Sequence, residues 1–398
     1  MSEEKGTFKE VYDALFGKPW KMWVGAILLS TFSICLYIIM SPWGASGGVL
    51  NWGQQLINPL FSQGTPQSIF ENRYAMLCIL ILVGSFSSAL LAKEFAIRIP
   101  PIGELVKGLV GGLIMGIGAI IGSSCTLGGF YSGWPALSVG AFVFTFGMVV
   151  GVFVAVLYLM FEAEKYPSFS SGESKTFLSG GNWQPIAGIV VFIVGLLFLF
   201  LFDPTTALVV MGFTFFGLLI GFVLQRSRFC IVRALREPFM TGESSAAVAV
   251  MIGIIVGLFG FAAIKFFAGG SPTMFVFGNL WISGLIGGIL FGLGMTIAGG
   301  CVVGSLWRAG EGQVKLWFSV LGMFIALPIT ALMKSDLLQI FPAEMTTSTM
   351  YLPDVFGSLV GDNPLIGYMG AVLFVLAIIA LWYIIVKWNE RTGKLARM

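Results

Sequence analysis

The chain contains no histidine, and charged residues make up only 10% of its 398 residues. The absence of histidine excludes imidazole metal ligands, histidine proton relays and catalysis by serine–histidine or cysteine–histidine pairs. The five cysteines include no CxxC pair, and their odd number argues against a disulfide framework. A net charge of +3 is too small to favour nucleic-acid binding. We therefore predict a protein that is not an enzyme and that uses no metal, cofactor or nucleic acid.

Hydrophobic residues are abundant: they make up 57% of the sequence, and the mean hydropathy is +0.94. A soluble protein of this size carries about 25% charged residues, so the composition predicts an all-α polytopic membrane protein surrounded by lipid. Apolar segments of spanning or near-spanning length number about ten. They lie at 20–42, 74–92, 105–125, 136–162, 184–202, 205–224, 245–268, 279–300, 315–333 and 364–387.

The lysines and arginines predict an orientation, because cytoplasmic loops are enriched in them. If the N-terminus is cytoplasmic and the spans alternate, 19 of the 22 basic residues fall on the inner side. Only Arg73, Lys265 and Lys334 fall outside or near the outer face. This pattern predicts a multi-pass protein of the inner (plasma) membrane with both termini in the cytoplasm. A polar stretch at 163–183 predicts a division into two membrane halves, 1–170 and 171–398.

Two glycine-rich segments match without gaps at an offset of 176 residues. One is GLVGGLIMGIGAIIGSSCTLGGF, from Gly108 to Phe130, and the other is GLIGGILFGLGMTIAGGCVVGSL, from Gly284 to Leu306. In the predicted topology they cross the membrane in opposite directions, because the span at 245–268 adds an odd crossing. The pattern predicts two inverted-repeat halves, whose interface usually houses a transport path. The same glycines also suit close helix packing.

Each matched segment contains a cysteine, Cys125 or Cys301, which we expect to be followed by a glycine-containing break and then a new helix. In the first copy we expect Trp134-Pro135 to open that helix. Broken backbone at membrane depth is tolerated where it lines a cavity, and a helix N-terminus presents free N–H groups to an anion. Thiols suit a polarisable sulfur or selenium atom. The predicted path residues in these copies are Gly118, Gly122, Cys125, Gly128, Gly294, Gly300, Cys301 and Gly304.

A third motif, Arg226-Ser227-Arg228-Phe229-Cys230, lies in a stretch that also contains Arg233 and Arg236. The arginines are either a topology signal or an exit site for an anion, in which Cys230 supplies a soft contact. We include Cys230, Arg228 and Arg308 among the predicted path residues. Cys35 and Cys78 are predicted to be ordinary core residues. Cys125 and Cys301 are predicted to lie near opposite mouths of one path.

At these three motifs the chain resembles the YeeE/YedE sulfur-transport family, and it looks closest to the YedE branch. The resemblance rests on GSSCTL (122–127), RSRFC (226–230) and GMTIAGGCVVG (294–304), which continues as WRAGEGQ (307–313). It implies import of thiosulfate or a related small sulfur-containing anion, with Cys125, Cys230 and Cys301 at the family's cysteine positions. It also implies cooperation with a small cytoplasmic sulfur-carrier protein of the TusA/SirA type.

The sequence leaves other functions open. A selenium species is an alternative substrate for the same fold, because the YedE branch is often linked to selenium metabolism. A membrane thiol-redox or sulfur-relay protein is an alternative from a different class, although the missing CxxC pair and missing cofactor motif argue against it. A scaffold subunit would not account for the matched cysteine motifs.

Overall fold

The computed structural model describes residues 10, 12–62, 64–166, 172–202, 207–267, 275–276, 281–334, 336, 350–359 and 364–394. Helices dominate because backbone groups in a bilayer must be satisfied within the chain. The α-helices, numbered in chain order, are α1 (Met22–Ile39), α2 (Ser46–Leu60), α3 (Arg73–Leu91), α4 (Ile102–Ile121), α5 (Val139–Lys165), α6 (Gln184–Leu197), α7 (Leu208–Ser227), α8 (Ile231–Met240), α9 (Ser245–Phe267), α10 (Trp281–Ala298), α11 (Val302–Gly310), α12 (Val314–Leu332), α13 (Leu352–Leu359) and α14 (Pro364–Thr392). Two short strands, β1 (Ile97–Ile99) and β2 (Lys175–Phe177), form an antiparallel pair.

Nine helical stretches in the described ranges are long and apolar enough to cross a membrane. They correspond to nine of the ten predicted segments, and the prediction of an all-α polytopic membrane protein is confirmed. The remaining segment, predicted at 184–202, is a shorter apolar helix, Gln184–Phe200. Its last turn tightens to a 3₁₀ conformation at Phe198–Leu201, which shortens the regular helix. This helix nevertheless runs alongside α3. Near its start, Gln184 donates a hydrogen bond to the carbonyl of Phe95 at 3.0 Å, and near its end the ring of Phe198 contacts the ring of Phe70.

Helices α4 and α10 cross at the centre of the bundle through glycine contacts. A methyl group added at Gly111 would lie 2.7 Å from the carbonyl oxygen of Gly294, and one at Gly118 would lie 2.7 Å from that of Gly287. The earlier residue of α4 therefore meets the later residue of α10, so the two helices run antiparallel. Helix α12 packs on α4, and α5 packs on α10. Glycine is required at the crossing because a side chain would collide with backbone.

The bundle has two distinguishable ends. Helix α1 begins and α14 ends at one of them, which we call the N-terminal end. Arg226 donates to the carbonyl of Lys18 there at 2.6 Å, and Asn389 of α14 donates to the carbonyl of Pro238 at 2.6 Å. At the opposite end, Lys334 after α12 donates to the hydroxyl of Ser123.

The predicted boundary between the halves, at residues 170 and 171, falls within 167–171, outside the described residues. The described part of the predicted linker is not free-standing, because β2 pairs with β1. Ile97 lies opposite Phe177 and Ile99 lies opposite Lys175. The stretch after the first half is thereby attached to the chain between α3 and α4.

Candidate functional site

The three motif cysteines share one local structure. Each is the residue immediately before a helical segment: Cys125 precedes a π-helical turn at Thr126–Tyr131, Cys230 precedes α8 and Cys301 precedes α11. The carbonyl oxygen of each accepts the amide hydrogen bond from four residues later, at 2.7 Å for Cys125, 3.2 Å for Cys230 and 2.7 Å for Cys301. Each cysteine therefore occupies the N-cap position, where serine, threonine, asparagine and aspartate are the usual residues.

A residue with left-handed backbone precedes each cysteine by two positions. The φ angles are 48° at Ser123, 54° at Arg228 and 83° at Gly299. Glycine adopts this conformation freely, whereas serine and arginine do so at a cost of about 1–2 kcal/mol. A helix ends, a left-handed residue turns the chain, one further residue follows, and the cysteine starts a new helical segment. The RSRFC motif is thus the same structural unit as the two cysteine motifs of the repeat.

A break lies directly before each motif cysteine, which was not predicted. The predicted breaks after Cys125 and Cys301 are also present, at 132–138 and 311–313, but two of the glycines assigned to them lie elsewhere. Gly128 lies inside the π-helical turn and Gly304 inside α11. Trp134-Pro135 does not open the next helix either, because α5 begins at Val139. The N-cap role explains the shift: a cysteine that caps a helix is followed at once by helical backbone.

The three units meet inside the bundle. The cysteine residues are 3% exposed at Cys125, 2% at Cys230 and 3% at Cys301. Cys301 lies near both other cysteines and near the side chain of Thr126. The sulfur of Cys301 also accepts the amide hydrogen of Gly304, at 3.4 Å. Cys125 and Cys301 are therefore near each other inside the bundle, and their placement near opposite mouths of one path stays a prediction.

A cavity of about 150 Å³ leads to Cys125 from the end of the bundle opposite the N-terminal end. Its lining includes Trp43, Tyr74 and the Ser123-Ser124-Cys125 turn. The Ser124 hydroxyl is buried and has no hydrogen-bond partner in the described part of the chain. The ammonium group of Lys334 lies 2.8 Å from the Ser123 hydroxyl, and burial lowers the pKa of Lys334. The cavity thus offers hydroxyl groups and a thiol to a small anion, and the cation of Lys334 is bound to one of those hydroxyl groups.

Three of the four arginines around Cys230 are held by other groups. Arg226 is fully buried and donates to the carbonyls of Phe16 and Lys18. Arg228 binds both carboxylate oxygens of Glu311, at 2.7 and 2.8 Å. It also binds Glu94 at 2.8 Å, so its charge, which we predicted to face the path, is neutralised. Their placement supports a structural role for these two arginines.

Arg233 is the third arginine that is held, because its Nε donates to Glu237 at 2.5 Å. Arg236 differs from the other three. Within the described residues it forms no ion pair, and its Nε is buried without a partner. The sequence alone could not separate it from its neighbours.

The remaining predicted residues divide between packing and the turns. Gly118 and Gly294 lie in the α4–α10 crossing, whereas Gly122 and Gly300 lie in the turns before Cys125 and Cys301. Arg308 donates to the carbonyl of Gly299 at 2.9 Å. Sequence reasoning missed Ser124, Thr126 and Lys334 as site residues. The polar pair Ser123-Ser124 directly before a cysteine was a usable signal, whereas Lys334 is brought to the site only by tertiary packing.

The two cysteines predicted to be core residues differ in their surroundings. Cys35 is half-buried in α1. Cys78 is fully buried, donates to the carbonyl of Ala45 at 3.4 Å and interacts electrostatically with Cys125. The described residues contain no group of three or more cysteine, aspartate or glutamate side chains that could hold a metal ion.

The fold and this site define a class: a multi-pass α-helical membrane protein with buried thiols that start three inward-facing helical segments. A sequence model of the family described as Sulphur transport matches residues 2–154 and 226–397, and the chain belongs to that family. The probable transporter YedE of Escherichia coli is 26% identical over 410 residues, which cover 96% of this chain and 95% of that protein. The corresponding protein of Salmonella typhimurium is 27% identical over 89% of this chain and 90% of its own length. The thiosulfate transporter TsuA of Escherichia coli is 36% identical over 125 residues, which are 30% of this chain and 32% of that protein.

Proposed function

We propose that the protein imports thiosulfate, or a related small sulfur-containing anion, across the inner membrane. The path leads from the cavity beside Lys334 past Cys125 and Cys301 to Cys230. The observation that carries this proposal is that three cysteines from distant motifs are buried together, each at the start of a helical segment. The similarity to proteins named as thiosulfate transporters supports the choice of substrate.

The chemistry of thiosulfate suits such a path. One end of the anion is a trigonal set of oxygens and the other is a single soft sulfur atom. Thiols are weak donors that match the soft sulfur better than a hard oxyanion. The N-termini of α8 and α11 present amide N–H groups and a positive dipole end to the oxygens. The path can therefore bind a dianion without a fully buried lysine or arginine at its centre.

The direction of transport and the topology follow from charge. We infer that the N-terminal end is cytoplasmic, because the basic residues concentrate there and positive residues favour the cytoplasmic side. Both ends of the described chain lie at this end, in agreement with cytoplasmic termini. A small sulfur-carrier protein of the TusA/SirA type would receive the cargo there, as the family resemblance implies.

We also infer that the two halves are inverted repeats. An offset of 176 residues relates Gly111 to Gly287 and Gly118 to Gly294. Gly111 contacts Gly294. Replacing each of these residues by its counterpart in the other half gives the pair Gly287 and Gly118, and these two residues are also in contact. Reciprocal contacts between antiparallel helices are what a twofold axis in the membrane plane requires.

The test is uptake of labelled thiosulfate by proteoliposomes that contain this chain alone. We expect Cys301→Ala to reduce uptake far more than Cys35→Ala at equal protein levels, because Cys301 lies near both other path cysteines and Cys35 lies in an ordinary span. Comparable uptake by the two variants would show that the motif cysteines are packing residues. Competition by selenite and by sulfate, measured with the unsubstituted protein, separates a selenium transporter or a general oxyanion transporter from the proposed one.

A further inference from the structure

Two cations near Cys230 lack the carboxylate partners that their neighbours have. Arg236 of α8 interacts electrostatically with Cys230 and with Arg308 of α11. Neither arginine forms an ion pair with any described residue. Glu237, the residue after Arg236, instead binds Arg233. Glu237 also attracts Arg236 without forming an ion pair with it. Two neighbouring, partly buried guanidinium groups repel each other, and an anion between them would reduce that cost.

Arg308 reaches the turn before Cys301, and Arg236 lies near Arg308. Arg308 donates to the carbonyl of Gly299 at 2.9 Å and stacks its guanidinium over the ring of Trp307, 5.1 Å from its centre. Lys315 reaches the same turn, because its ammonium nitrogen lies 3.8 Å from the position that a Cβ atom on Gly299 would occupy. Lys315 is neutralised by Glu104, at 2.5 Å. The cations without an ion pair in this region are therefore Arg308, at the turn, and Arg236 beside it.

The opposite end of the path has a matching arrangement. Ser123 corresponds to Gly299 under the offset of 176 residues, and both have left-handed backbone. Ser123 is contacted by the ammonium group of Lys334, and Gly299 is contacted by the guanidinium group of Arg308. A cation thus meets the turn before each repeat cysteine, although the cations come from different positions in the two halves.

We propose that Arg236 and Arg308 form a second anion site, at the N-terminal end of the path, with Cys230 as its soft contact. This inference rests on the proposed function and adds a binding site to it. The site takes the trigonal oxygens of a thiosulfate-like anion on the two guanidinium groups, whose N–H donors match oxyanion geometry. The terminal sulfur of the anion then faces the thiol of Cys230. The buried Nε of Arg236 gains the acceptor that the protein itself does not supply.

The test measures transport separately from each side of the membrane. Everted vesicles present the N-terminal end to the medium, and right-side-out vesicles present the other end. We expect Arg236→Gln and Arg308→Gln each to raise the half-saturating thiosulfate concentration in everted vesicles about tenfold or more, the loss expected for one charge-assisted hydrogen bond. In right-side-out vesicles the change should stay below about twofold, since entry there uses the cavity beside Lys334.

Arg391→Gln is the matched control, because Arg391 is an exposed arginine in the last turn of α14. It should leave both concentrations unchanged, and Arg236→Lys should restore much of the loss because it restores the charge. The proposal would be overturned if Arg236→Gln and Arg308→Gln left the half-saturating thiosulfate concentration unchanged on both sides. It would also be overturned if they changed that concentration equally on the two sides. An effect of Arg236→Gln that appears only in vesicles containing anionic lipid would assign the site to a lipid phosphate, and would overturn it as well.

Binding of labelled thiosulfate to the purified protein in detergent separates this proposal from the transport function. If the unsubstituted protein binds thiosulfate but does not transport it, the proposed function fails, and weaker binding by Arg236→Gln still supports the site. In the second case the protein transports thiosulfate, but Arg236→Gln and Arg391→Gln have the same thiosulfate affinity and the same half-saturating concentration. The proposed second anion site is then wrong, and the proposed transport function stands.

Discussion

At Lys334 the chain places an ammonium group beside the turn that carries Cys125. Burial lowers the pKa of this lysine, so it releases its proton at a lower pH than an exposed lysine does. Its hydrogen bond to Ser123 keeps the group at the cavity, where an entering anion would meet it. The charge that attracts the anion is therefore present at low pH and is lost as the pH rises through the lowered pKa of Lys334.

We expect the half-saturating thiosulfate concentration in right-side-out vesicles to rise as the external pH increases over the alkaline range. Lys334→Arg should abolish this rise, because arginine keeps its charge throughout that range. The measurement is a pH series of uptake rates for the two proteins. The same alkaline rise in Lys334→Arg would mean that another group controls entry.

Single residues show where sequence reasoning succeeds and where it ends. Cys125 and Cys301 could be identified because the repeat aligns them, and the structure brings both together with Cys230 as one kind of turn. The left-handed conformations at Ser123 and Arg228 could not be predicted, because neither residue is glycine. The separate roles of Arg226, Arg228 and Arg236 depend on carboxylates far away in the chain, such as Glu311. The sequence around the arginines does not indicate which of them forms such an ion pair.

At the scale of helices, the glycines of the two matched segments have different structural roles. Gly118 lies where α4 meets α10, and a methyl group there would be 2.5 Å from the amide nitrogen of Phe291. Gly304 lies in α11, and a methyl group there would meet only the sulfur of Cys301, at an ordinary distance of 3.5 Å. A glycine-to-alanine substitution would therefore bring a methyl group into the backbone of α10 at Gly118, whereas at Gly304 it would cause no steric clash.

We expect Gly118→Ala to destabilise the protein by about 1–3 kcal/mol, the usual cost of overpacking. Gly304→Ala should be neutral or stabilising by up to about 1 kcal/mol, because alanine favours a helix more than glycine does. Thermal unfolding of the two purified variants in the same detergent provides the comparison. Equal unfolding temperatures would show that the α4–α10 crossing relaxes without cost.

Element boundaries were harder to predict than the elements themselves. The apolar runs gave nine of the helices that can cross a membrane, since a run of that length has few other stable conformations in lipid. The run at 184–202 was apolar enough, but its helix tightens and ends early at Phe198–Leu201. The breaks after the cysteines were predicted to begin too early because glycine usually interrupts a helix, whereas Gly128 and Gly304 lie within helical backbone here.

At the scale of the whole molecule, an ionic network ties distant parts of the chain together at the N-terminal end. Glu311, which is 0% exposed, lies between α11 and α12 and accepts hydrogen bonds from Arg228 after α7 and Arg98 in β1. Glu94 after α3 binds the same Arg228 and also Gln225. Removing the charge of Glu311 would leave Arg98 without a carboxylate and Arg228 with Glu94 alone, which is more costly than losing an exposed pair.

We expect Glu311→Gln to lower stability by about 1.5–3 kcal/mol, because Arg228 keeps its bond to Glu94 and both arginines are partly exposed. Glu390→Gln, which breaks the exposed pair with Lys387, should lower it by no more than about 1 kcal/mol. Unfolding by a denaturing detergent in mixed micelles can compare the two variants. Similar losses in both would mean that the network at the N-terminal end is as well solvated as the pair on α14.

The N-cap position of the motif cysteines changes how a cysteine scan of this protein must be designed. Alanine at position 301 removes the sulfur and also the acceptor that binds the amide of Gly304, so a loss of uptake could reflect a frayed helix as well as lost chemistry. Serine keeps a cap acceptor and removes only the soft, polarisable atom. Serine at position 301 therefore distinguishes sulfur recognition from helix initiation. The side chains of Cys125 and Cys230 make no capping hydrogen bond, so serine there tests the sulfur alone.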